Sequence, residues 1–163
     1  MSLTFNANEI FEMAEEIERN GAKFYRKAAE GAKDADTKKF LTDMAVMEDG
    51  HLDIFQKMRQ QLGDSDKVPV TYDPDDQAAL YLQSMADARG YEGKISPSIE
   101  LTGAEELQDV LSIAISAERN SVVFYVGLKT LVKSESGKEQ VDHIIKEEMA
   151  HIATLQKKLV SLQ

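Results

Sequence analysis

Apolar residues recur at alternating steps of three and four along four stretches of the chain, the period of a helix with one buried face. In residues 8–31 the stripe is Ile10, Ala14, Ile17, Gly21, Phe24 and Ala28. In residues 36–62 it is Phe40, Leu41, Met44, Met47, Leu52, Phe55 and Leu62. A third helix from about 104 to 133 carries Leu107, Leu111, Ala114, Ile115, Val122, Tyr125 and Leu128. A fourth, from about 136 to the C-terminus, carries Val141, Ile144, Ile145, Ile152, Leu155 and Leu159.

End signals agree with these spans. Asn6 or Asn8 can cap the first helix and Asp34 or Asp36 the second, with Gly31 and Gly63 as stops. Thr102-Gly103-Ala104-Glu105 reads as a capping box opening the third helix, and Ser136-Gly137-Lys138-Glu139 as another opening the fourth. The first and second helices are joined by a few residues, as are the third and fourth, which predicts two antiparallel hairpins. Residues 63–103 differ. They hold all three prolines (Pro69, Pro74 and Pro97), and Asp73 before Pro74 predicts a short helix over 74–89. Forty-one residues are too many for a hairpin turn and suit a crossover along the bundle. The expected fold is all-α: a four-helix bundle of two hairpins joined by a long crossover containing a short helix, one domain over residues 1–163. Gly50 sits mid-helix, where close helix approach is one reason to tolerate it.

Four acids interrupt the apolar stripes. The neighbours of Glu18 three, four and seven residues away include Phe11, Ala14, Gly21, Ala22 and Tyr25, with Glu15 the polar exception. Glu48 stands among Leu41, Met44, Ala45, Leu52 and Phe55, Glu118 among Leu111, Ala114, Ile115, Val122 and Tyr125, and Glu148 among Val141, Ile144, Ile145, Ile152 and Leu155. Glu12, by contrast, neighbours Phe5, Asn8, Glu9, Glu15, Glu16 and Arg19, a solvated face. The four also form a repeat. Glu18-Arg19-Asn20 leads to Phe24-Tyr25, and Glu118-Arg119-Asn120 to Phe124-Tyr125, 100 residues later. Thirty residues after each leading Glu comes an E-x-x-H, Glu48/His51 and Glu148/His151. Glu147 is the rival of Glu148, being four residues before His151, and the repeat decides for Glu148, which alone matches Glu48.

An ionised carboxylate in an apolar core costs several kcal/mol unless it is paired. No Lys or Arg falls in the stripes. Two divalent ions would balance four carboxylates, with His51 and His151 as neutral ligands. Such an oxygen-rich set with one imidazole per ion suits iron or manganese better than a tetrahedral zinc. Tyr25 and Tyr125 follow their Glu by seven residues and can orient the carboxylates as hydrogen-bond donors, as well as fill the core. His143 matches nothing in the repeat and is expected at the surface, and the seven methionines read as bundle filler.

Composition narrows the classes. A net charge of −10 argues against nucleic acid or anionic lipid as partner. The chain has no Cys, which excludes disulfides and thiolate-bound metal and fits a cytoplasmic setting. It has no apolar run long enough to span a membrane and no signal-peptide pattern at its start.

Glu-x6-Tyr followed by E-x-x-H thirty residues on, twice over, resembles the ferritin-like superfamily, closest in style to the rubrerythrins, over about residues 8–162. The resemblance implies a ferritin-like bundle holding two iron ions, with manganese or a mixed pair as alternatives, that reacts with peroxide or dioxygen. It implies that Glu48 and Glu148 bridge the ions and that Glu18 with His51, and Glu118 with His151, are terminal ligands. Without the four Cys of a rubredoxin-like domain, electrons would come from an external donor protein or from Fe²⁺. Where rubrerythrins carry an extra carboxylate beside the third-helix Glu, this chain has Ile115 and Ser121. That substitution and the four-Glu, two-His set bring it nearer a bacterioferritin centre. The implied roles are peroxide reduction or ferroxidation, iron storage or delivery, or a purely structural metal, in a homodimer or larger homo-oligomer.

Overall fold

The computed structural model describes residues 7–64 and 100–163. Helix α1 spans Ala7–Glu30, α2 Ala35–Gln60, α3 Leu107–Leu131 and α4 Glu135–Val160. Each boundary lies within a few residues of the periodic stretch that predicts it, and the described residues contain no strand. The short helix expected over 74–89 lies outside the described residues.

The starts of the helices follow local hydrogen bonding. Asp34 caps α2, its carboxylate accepting from Thr37 N at 2.8 Å. Two expected caps are displaced. Glu105 Oε1 does accept from Thr102 N, at 2.7 Å, but this closes a turn ahead of the helix, and α3 begins at Leu107. The Thr102 hydroxyl donates to Glu105 and accepts from Ala104 N, bonds that satisfy a turn, so the signal does not mark the first helical residue. For α4 the cap is Ser134, which accepts from Gly137 N, and Ser136 is already helical.

The helices pack as two hairpins, α1 against α2 and α3 against α4, with α1 also meeting α3 and α2 meeting α4. Directions follow from the two apolar clusters. One joins the N-terminal half of α1 (Ile10, Phe11, Ala14, Ile17) to Phe55 and Met58 late in α2, Phe124, Tyr125 and Leu128 late in α3, and Val141 and Ile144 early in α4. The other joins Phe24, Tyr25 and Ala28 to Leu41, Met44 and Ala45 early in α2, Leu111, Ala114 and Ile115 early in α3, and Leu155 late in α4. Hence α3 runs antiparallel to α1 and parallel to α2. Parallel α2 and α3 cannot be joined by a tight turn, in keeping with the long intervening segment.

Two stripe assignments need correction. Met47 is exposed, and Gly50 faces open space, with no atom within 4 Å of where its Cβ would stand. Close approach occurs instead at Gly21, where a Cβ would lie 2.9 Å from Glu48 Oε2. No described helix is long and apolar enough to cross a membrane.

Candidate metal centre

Between the two apolar clusters, one acid from each helix turns inward. Glu18, Glu48, Glu118 and Glu148 are buried, as are His51 and His151. The helical step of three places each His on the same face as its Glu. All six residues expected from the repeat are therefore brought together.

Their atoms fall into two overlapping groups. Glu18, Glu48, His51 and Glu148 each offer one ligand atom within 4.8 Å of the others, and so do Glu48, Glu118, Glu148 and His151. Glu48 and Glu148 belong to both. Glu148 shows how the sharing works: Oε1 lies 2.9 Å from His51 Nδ1 while Oε2 lies 3.1 Å from His151 Nδ1. His51 Nδ1 is also 3.4 Å from Glu18 Oε2, and His151 Nδ1 is 3.6 Å from Glu48 Oε1 and 3.7 Å from Glu118 Oε1. The two imidazoles stack with centroids 5.7 Å apart.

The residues fit a pair of cations. Glu18 Oε2, Glu48 Oε1, Glu148 Oε1 and His51 Nδ1 are buried without an aligned hydrogen bond among the described residues, so their lone pairs converge on shared space. No Lys or Arg pairs with any of the four carboxylates among the described residues. Glu15 makes the contrast: equally buried, it meets Arg59 Nε at 2.8 Å. A buried acid that is not a candidate ligand has its own cation.

Without that cation the charges settle on protons. Burial, and then the neighbouring charges of Glu118 and Glu148, push Glu48 well above the usual carboxylate range. Burial and the charge of Glu148 raise Glu118 to about 8. Glu148 is held below its ordinary value: burial opposes this, but the close polar contacts of Glu118, His151 and His51 outweigh it. Burial would lower His51, yet contacts with Glu148 and Glu18 carry it up to about 11, and His151 rises against burial to about 9 through Glu118 and Glu148.

The tyrosines act across the bundle. Tyr25 donates to Glu118 Oε1 and Tyr125 to Glu18 Oε1, so each serves the Glu of the facing helix, as the antiparallel α1/α3 pairing requires. Burial, then the facing carboxylate, raises both phenols well above their usual value and keeps them donors. Sequence reasoning missed one contact. Glu147, set aside in favour of Glu148, lies behind His51, its Oε2 3.2 Å from Nε2, and the same oxygen is 3.5 Å from Nε2 of His143, which is exposed as expected. The i, i+4 spacing signals the His143 contact alone, and no spacing signals the one to His51.

The fold, the shared carboxylates and the imidazole pair together describe a four-helix bundle with a candidate dinuclear metal site at its centre. The chain belongs to the ferritin-like domain family, whose profile matches residues 6–161. It is similar to a Thermotoga maritima protein described as ferritin-like and diiron-carboxylate, at 23% identity over 98% of both chains with a TM-score of 0.73. A hypothetical protein of Pyrococcus furiosus matches at 22% identity over 95% of this chain and 89% of that one, TM-score 0.64. The manganese catalase KatB of Anabaena matches at 21% over 99% of this chain and 76% of its own, TM-score 0.63. Among curated proteins none matches.

Proposed function

We propose that the protein is a rubrerythrin-like di-iron oxidoreductase that consumes peroxide or dioxygen. The observation that carries this is the cluster of four buried carboxylates and two imidazoles in two overlapping groups, with no Lys or Arg pairing with those carboxylates among the described residues. Glu18 with His51, and Glu118 with His151, would each hold one ion, and Glu48 and Glu148, which belong to both groups, would serve the pair. Two ferrous ions bound there supply two electrons, enough to cleave the O–O bond of one peroxide to two waters with two protons, and an external reductant restores the pair.

The chain's own groups prepare that chemistry. Tyr125 occupies Oε1 of Glu18, whose Oε2 is buried without a hydrogen-bond partner among the described residues, and Tyr25 donates to Oε1 of Glu118. The apolar clusters on either side exclude bulk water and strengthen the charge interactions between them. Small residues (Gly21, Ala114, Ala117 and Ser121) line a pocket of about 10 Å³ that reaches Glu48 and Glu118, about the space one water-sized molecule needs. Mixing the anaerobic, Fe²⁺-loaded protein with peroxide in a stopped-flow instrument should give ferric absorption within seconds. A loaded protein that stays ferrous for minutes would remove the oxidoreductase reading.

A manganese pair is the second reading, favoured by the donor set, which suits either metal, and in keeping with the manganese catalase neighbour. Iron handling without turnover separates from both by assembly: a particle of many subunits holding many irons per chain supports storage, and a dimer holding two supports the redox role.

A further inference from the structure

The internal repeat fails behind the two histidines. Both turn Nδ1 towards the carboxylates. His51 Nε2 lies 3.2 Å from Glu147 Oε2, whereas His151 Nε2 is buried with no hydrogen-bond partner among the described residues. The 100-residue offset accounts for the difference: position 147 corresponds to position 47, where the chain has Met47. A methionine cannot accept from an imidazole N–H as a carboxylate does.

The two ion positions are otherwise matched in their kinds of donor. Each has one Glu and one His of its own, the same two shared carboxylates, and one tyrosine donating to its terminal Glu. We propose that Glu147 is a positioning residue for His51 and makes the two positions unequal, so that the ion at Glu18 and His51 binds first and more tightly than the ion at Glu118 and His151. This rests on the dinuclear reading above. With Nε2 protonated and bonded to Glu147, His51 is fixed in the tautomer that presents a free Nδ1 lone pair to the ion, and the carboxylate increases the basicity of that nitrogen. His151 has neither the anchor nor the added basicity. The Glu147 side chain is 42% exposed, so replacing it leaves the core intact.

The test is titration of metal-free protein with Mn²⁺, followed by calorimetry and by the electron paramagnetic resonance signal of free Mn²⁺. The wild type should bind two ions in steps about tenfold or more apart. Glu147→Met should weaken the tighter step by about the factor that separates the two in the wild type, tenfold or more, so that the steps converge, and Glu147→Gln, which keeps an oxygen acceptor without the charge, should fall between. Met47→Glu supplies the missing carboxylate and should tighten the weaker step alone. Two equal steps in the wild type, or a Glu147→Met variant whose affinities do not move, would overturn the assignment while leaving the dinuclear centre standing. Wild type that binds no Mn²⁺ and no Fe²⁺ would overturn both.

Discussion

A single missing side chain sets the position of the shared carboxylate Glu48. At Gly21 an added Cβ would stand 2.9 Å from Glu48 Oε2, closer than side chains pack, and the atom that must give way is the end of a flexible side chain. Gly21→Ala should therefore divide two properties that usually move together. The metal-free fold should gain up to about 1 kcal/mol, because Ala is the better helix former. Metal affinity should fall about tenfold or more, because Glu48 is turned away from the other residues of the two groups it belongs to. Urea unfolding of the metal-free variant and metal titration check the two halves. At this scale the sequence was legible wherever an acid broke an apolar stripe and recurred at the repeat offset, as with Glu18 and Glu118. It was not legible where the partner lies on another helix. Nothing local marks Gly21 over Gly50 as the close approach, or shows that Glu147 reaches His51.

Helix spans were readable because one buried face imposes the 3.6-residue period throughout. Helix starts were less so, because a capping sequence reports a satisfied turn and not its place in the helix. Thr102 and Glu105 bond each other one turn before α3, and Ser134 takes the role expected of Ser136. Asp34 at the start of α2 is the unambiguous case, since its carboxylate accepts from Thr37 N and its charge faces the positive end of the helix dipole. The bond also lowers the Asp34 carboxyl below its ordinary value. Asp34→Ala should cost about 1 kcal/mol of stability, read as a shift in the urea midpoint without change in slope. Because α2 carries both Glu48 and His51 well beyond its first turn, the same variant should keep its metal stoichiometry.

Across the whole molecule, the bundle builds a cavity for charge that protons fill when metal is absent. Glu118, at about 8, and the imidazoles of His51, at about 11, and His151, at about 9, all bind protons more tightly folded than unfolded. A raised value stabilises the fold below the unfolded value, 4.5 for the Glu and 6.5 for the His, and that stability is lost as pH rises through the folded value. The metal-free protein should thus lose thermal stability steadily from pH 6 to pH 9. The metal-loaded protein, with those protons displaced, should not, and thermal melts with and without chelator across that range compare the two. The antiparallel α1/α3 pairing, which lets Tyr25 and Tyr125 exchange partners, followed from hairpins and a long crossover, but its register depended on packing that no local pattern encodes. The central claim is that four buried carboxylates and two imidazoles hold two ions per chain, and metal analysis of anaerobically purified protein tests it most directly. Two iron or manganese ions per chain, with strong loss in Glu148→Gln, is the result predicted here. A single ion, or a content that Glu148→Gln leaves unchanged, would contradict it.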